Sequence, residues 1–295
     1  MTIPRLLTAM ITPYDDKLQV DYARAAELAD YLANNGSEGI VVSGTTGESP
    51  VLTDEEKLKL FAAVKGKLGK RIPVWAGTGS NDTQHSLELS KEAEKLGVDG
   101  VMLVCPYYSK PSQEGLYQHF RKIAGAISLP VMLYNVPGRT GINLLPETVT
   151  RLAKIENIVA IKEASGSMDQ VSTLMTLLPE EMTVYSGDDS LTLPMMALGA
   201  RGVVSIASHL VGKEILAMID AFGNGEVKRA GDLHKQLFPI FKGLFITTNP
   251  VPLKEVLNQL GQNVGGLRLP LVEANETEKI FIQELLINAK LLPQA

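Results

Sequence analysis

The chain reads as an α/β protein, a closed (β/α)8 TIM barrel followed by a C-terminal helical domain. Three observations predict this. Short apolar runs recur eight times, near 6–11, 39–43, 74–77, 101–104, 131–134, 158–161, 184–186 and 203–206. Stretches with helical spacing separate them, such as DYARAAELADYLANN and PSQEGLYQHFRKIAGAI. Beyond the eighth run the periodicity is helical throughout, with no strand signal. Eight runs alternating with helices fit a closed parallel barrel. A doubly wound open sheet is the competing fold, and the count of eight with regular spacing favours the barrel. The predicted division is a barrel over 1–224 and helices over 225–295.

Each apolar run is short enough for a buried parallel strand. The helices carry their own start signals. Thr53 precedes Asp54-Glu55-Glu56 as in a capping box, and Asp82 and Ser112 are placed to cap the next two helices. Stops fall at Gly69 and Gly97.

The bulk composition removes several classes of function. Of 295 residues, 45% are hydrophobic and 21% charged, enough for a large core without staples. A net charge of −5 speaks against a nucleic-acid groove or a polybasic membrane patch. A single cysteine, Cys105, excludes an intrachain disulfide and fits a reducing compartment. The opening MTIPRLLTAMITPYDD is too short and too broken by proline and charge for a signal peptide or membrane span, so the cytoplasm is expected.

Lys162 closes the apolar sixth run, IVAIK. In a barrel that position faces the mouth formed by the C-terminal strand ends, where active sites lie. Burial lowers an amine's pKa, and a neutral lysine can form a Schiff base with a carbonyl substrate. A structural lysine paired with Glu163 is the other reading. No G-x-G-x-x-G, Walker loop or G-x-S-x-G elbow competes, and the four histidines lack metal-ligand spacing.

Tyr134 ends the fifth run, so it stands beside Lys162 on the next strand, either as a proton relay or as a core tyrosine. After the second run, GTTGE can form a backbone nest for a carboxylate, with Thr45 and Thr46 adding hydroxyls, or it is an ordinary glycine turn. Arg139 lies just past Tyr134, where its planar fork suits a carboxylate or simply decorates a turn. The paired Tyr107 and Tyr108, in a proline-bounded loop, suit an interface, and a catalytic reading can hold beside it.

Together GTTGE, YNVPGRTG, IVAIKEASG and SGDD resemble the pyruvate-dependent Schiff-base aldolases, the N-acetylneuraminate lyase family. The arginine of PGRT narrows the resemblance to the branch that condenses pyruvate with L-aspartate 4-semialdehyde, on the diaminopimelate route to lysine. The resemblance extends from LLTAMITPYDD to NPVPLK. It implies a barrel with a C-terminal helical domain, a homotetramer built as a dimer of tight dimers, and chemistry without metal or organic cofactor. On this chain it implies that Lys162 forms the imine, and that Tyr134, Thr45 and Tyr108 relay protons, Tyr108 entering the neighbouring subunit's site. It further implies that the Thr45 and Thr46 amides hold the pyruvate carboxylate, that Gly187 and Val204 line the pocket, and that Arg139 guides the semialdehyde.

Two other readings share parts of this pattern. A sister lyase acting on N-acetylneuraminate or a 2-keto-3-deoxy sugar acid would keep the lysine and tyrosine but lack the arginine. A barrel turned binding protein would have lost a relay residue. The chain also departs from lysine-inhibited members. They typically carry histidines after the GTTGE turn and a glutamate after GTG. Here the places read Asp54, Lys57 and His85, while Ser49, Asn81 and Tyr107 match. Weak or absent lysine feedback is expected.

Overall fold

A computed structural model describes residues 4–293, so the first three residues of the N-terminal stretch lie outside the described residues. The strands are β1 (Leu6–Ala9), β2 (Gly39–Val42), β3 (Val74–Gly77), β4 (Gly100–Val104), β5 (Val131–Asn135), β6 (Ile158–Glu163), β7 (Thr183–Ser186) and β8 (Gly202–Ser205). They form a closed parallel barrel in chain order, β8 pairing back onto β1 with Leu7 opposite Val204. Nearly every strand residue is buried, because one face fills the barrel and the other meets the helices.

Strand positions match the sequence reading, but several ends move. β1 stops at Ala9, two residues early, since the amide of the next buried residue but one, Ile11, turns to His209 Nε2 at 3.3 Å. β5 runs on to Asn135 and β6 to Glu163, each past its apolar run. Those two polar residues stay in the ladder because they face one another across it.

The predicted caps are present. Thr53 and Glu56 complete a capping box, Asp82 accepts from the amides of Gln84 and His85, and Ser112 accepts from Gly115. Gly69 follows the helix Asp54–Leu68 with φ +57°, a left-handed conformation that glycine adopts without strain. After the helix Ser208–Gly223 come three more helices, Val227–Gly243, Val251–Gln259 and Glu276–Asn288. No helix among the described residues is long and apolar enough to cross a membrane.

The C-terminal helices grip the barrel mouth. Lys254, 1% exposed, places Nζ 2.6 Å from Glu48 Oε1 and donates to the Gly266 carbonyl. Arg268 donates its backbone amide to Glu48 Oε2. The second βα turn is therefore pinned by residues more than 200 positions away in the chain.

Candidate active site

Lys162 and Tyr134 sit opposite each other in the β5–β6 ladder, and both point into the barrel. Lys162 Nζ lies 4.4 Å from the centre of the Tyr134 ring, and both side chains are buried. Burial lowers the Lys162 amine to about 8, Asp189 draws it back up, and Arg139 pushes it further down. At pH 7 roughly a tenth of such amines are neutral, against roughly one in three thousand for an ordinary lysine. Burial raises the Tyr134 phenol, opposed by Arg139 and the Thr45 side chain, so it is a protonated donor at neutral pH.

The pairing of Lys162 with Glu163 is not what forms. Successive side chains point to opposite faces of a strand. Glu163 turns outward and accepts from Asn135 Nδ2 at 2.9 Å, Gln170 Nε2 at 3.0 Å and the Ser165 amide at 2.5 Å. Lys162 has no ion-pair partner among the described residues.

Gly187, after β7, makes room for the amine. A Cβ there would come within 3.2 Å of Lys162 Cε and 2.6 Å of Ala164 Cβ. Any side chain at this position would push on the reacting lysine. Val204 is buried within β8.

The GTTGE turn is closed by Gly47 and Ser49 amides on the Gly44 carbonyl and by the Glu48 amide on Thr45. The Thr45 and Thr46 amides carry no hydrogen bond among the described residues, which leaves them available to an anion. Ser43 and Glu48 flank the turn in left-handed conformations, φ +56° each, strain that the surrounding contacts sustain.

A cavity of about 770 Å³ opens at this end of the barrel. Thr45, Tyr134 and Arg139 line one part, and Asp54, Lys57, His85 and Tyr107 line another. Lys162, Thr46, Gly187 and Val204 do not line it. Tyr108 does not reach the cavity either. It is 89% exposed on its loop, with φ +73°.

Sequence reasoning missed two groups. Asn249 donates from Nδ2 to Thr46 Oγ1 at 2.9 Å, and its carbonyl accepts from Arg139 Nη2 at 3.4 Å. Nothing local signals this, since the contact joins the helical segment to the second βα turn. Asp189, 3% exposed, accepts the Ile206 and Ala207 amides on Oδ2, while its Oδ1 has no hydrogen-bond partner among the described residues. Burial raises its carboxyl pKa. The SGDD string holds it, but its electrostatic influence on Lys162 needs the fold.

A desolvated amine beside a phenol, at the mouth of a (β/α)8 barrel, defines the class of imine-forming aldolases and lyases. Within that class the chain belongs to the dihydrodipicolinate synthetase family, whose model matches residues 2–289. It is 61% identical to the 4-hydroxy-tetrahydrodipicolinate synthase of Desulforamulus reducens, over 98% of each chain. The enzyme of that name from Heliobacterium modesticaldum is 59% identical, over 97% of this chain and 95% of the relative. Among solved structures, dihydrodipicolinate synthase from Bacillus anthracis superposes with a TM-score of 0.95 at 48% identity, covering both chains in full. The enzyme from Cyanidioschyzon merolae, solved with lysine bound, gives 0.96 at 45% identity over 98% of each chain.

Proposed function

We propose that this chain is a 4-hydroxy-tetrahydrodipicolinate synthase, condensing pyruvate with L-aspartate 4-semialdehyde on the diaminopimelate route to lysine. The observation that carries the reading is the buried Lys162 amine, lowered to about 8 and set against the Tyr134 phenol. The family and its similarly sized relatives support it.

The neutral Lys162 amine adds to the pyruvate ketone, and the carbinolamine loses water to give a protonated imine. Tyr134, with Thr45 beside it, returns the proton that the departing hydroxyl needs. The cationic imine acidifies the adjacent methyl group, and loss of one proton gives an enamine. Its carbon attacks the semialdehyde's aldehyde, forming the new C–C bond, and the alkoxide takes up a proton. The semialdehyde's own amine then adds to the imine carbon, expels Lys162 and closes the ring. The free Thr45 and Thr46 amides hold the pyruvate carboxylate. Arg139, fixed by the Asn249 carbonyl, meets the carboxylate of the second substrate.

Tyr108 completes the relay from a second copy, so the working form is an oligomer, a homotetramer of two tight dimers. Its 89% exposure supports this. A dihydrodipicolinate synthase variant 38% identical to this chain is described as monomeric, so assembly varies among relatives. Cytoplasmic location accords with the single buried thiol.

Lysine feedback is weak or absent. In the second part of the cavity the Asp54 carboxylate is already engaged, by His85 Nε2 at 2.8 Å and Lys57 Nζ at 3.6 Å. A lysine ammonium would find a cation and an occupied acid there. Micromolar lysine binding by calorimetry would overturn this.

The function is tested by coupled assay. Turnover should occur with pyruvate and aspartate semialdehyde, and none with pyruvate and N-acetylmannosamine. The reverse preference would make the chain a sister lyase.

A further inference from the structure

We propose that Glu163 is a positioning residue for this reaction: with Asn135 it latches the shifted register of β5 against β6 that sets Lys162 beside Tyr134. The inference rests on the imine chemistry above and deepens it.

The β5–β6 ladder contains an irregularity. Val131 pairs with Ile158, but the next residue, Met132, pairs with Ala160, so Val159 is an extra residue on β6. Beyond it the register holds, Tyr134 opposite Lys162 and Asn135 opposite Glu163. Without the extra residue Tyr134 would face Ile161, and Lys162 would face Asn135. A one-residue slip turns side chains to the opposite face, and bulges beside active sites re-aim them.

The apolar pattern cannot choose between these registers. Residues 158–161 are apolar on both faces, as buried parallel strands usually are, so either register buries similar area. The choice falls to the polar residues that follow. Asn135 is fully buried and Glu163 is 2% exposed. The Glu163 carboxylate has no ion pair among the described residues and is satisfied by its three donors alone. Asn135 Nδ2 also reaches Asn143 Oδ1 at 2.8 Å, and Asn135 Oδ1 accepts the Leu144 amide at 2.9 Å. Asn143 in turn donates to Gln170 Oε1 at 2.7 Å. In the unshifted register Asn135 could not face Glu163, and a buried carboxylate would lose a donor. Leaving a buried charge short of partners is heavily penalised. The latch therefore lies outside the barrel wall, one residue beyond each reacting side chain, and fixes what happens inside it.

The test is a time course of borohydride trapping with pyruvate, counting the adduct at Lys162 by mass spectrometry and dividing the rate by the sites finally labelled. E163Q keeps the shape but places an amide N–H₂ where donors already converge. Its rate per labelled site should fall by about tenfold to about a hundredfold, the scale of a 1 Å misplacement. The pH midpoint of the rate should also rise above that of the wild type, because a displaced amine is less desolvated. Q170M removes one donor and should slow labelling about threefold, and it carries the test if E163Q does not fold. Variants that melt earlier but label at the wild-type rate and midpoint would make the network purely structural and overturn the inference. A wild type that pyruvate never labels would overturn the imine reading and this inference with it.

Discussion

Lys162 and Lys254 are the two most deeply buried lysines among the described residues, and only one is built to react. Lys162 and Lys254 are 5% and 1% exposed, and each ammonium lies over a tyrosine ring, at 4.4 Å and 4.0 Å. Burial draws both amines down from the ordinary lysine value. They differ in partners. Lys254 meets Glu48 at 2.6 Å and the Gly266 carbonyl at 2.7 Å, so its charge is held by an acid and an oxygen dipole. Lys162 has no such acid bonded to it among the described residues, and a glycine keeps the space beside its terminal carbons open. Desolvation alone does not make a nucleophile. The nitrogen must also be free of partners, and that of Lys254, though drawn down to about 8 as well, is held by Glu48 and the Gly266 carbonyl.

Substitutions separate the two roles. Lys162→Ala should reduce kcat by about 10⁴-fold or more while the fold melts near the wild-type temperature, measured by steady-state assay and calorimetry. Equal turnover in that variant would remove the chemical role. Lys254→Met should do the opposite. It leaves Glu48 buried and unpaired, costing about 3–5 kcal/mol of stability by denaturant titration, yet the folded fraction should still be labelled by pyruvate at Lys162. Loss of labelling from fully folded Lys254→Met would erase the distinction.

Smaller effects sharpen it. Tyr134→Phe should slow imine formation by about a hundredfold, the value of one positioned proton donor. Unchanged single-turnover kinetics would make Tyr134 a packing residue. Arg139→Ala should lower kcat/KM for the semialdehyde by about tenfold or more, with pyruvate trapping nearly unchanged. Equal losses in both steps would sink the role given to it.

The barrel was legible because parallel strands buried on both faces leave continuous apolar runs, such as Ile158, Val159, Ala160 and Ile161. Strand ends were less legible where polar residues join the ladder. Asn135 and Glu163 look like loop residues until their mutual hydrogen bond is seen. Lys162 and Tyr134 could be read from their place at two adjacent strand ends. Gly187, Val204 and Tyr108 came only through family resemblance, since a small residue, a core valine and a loop tyrosine carry no chemical signature alone. Asn249 and Lys254 were invisible as site neighbours. Their partners Thr46 and Glu48 lie some two hundred residues earlier, and no local pattern encodes such a contact.

The most direct measurement is peptide mapping of the borohydride-trapped pyruvate adduct across a pH series. One adduct is expected, on Lys162, forming at a rate that climbs with pH through about 8 and then levels as the amine becomes fully neutral. Lys254 should remain unmodified throughout. An adduct on Lys254, or a rate still climbing toward the ordinary lysine value, would contradict it.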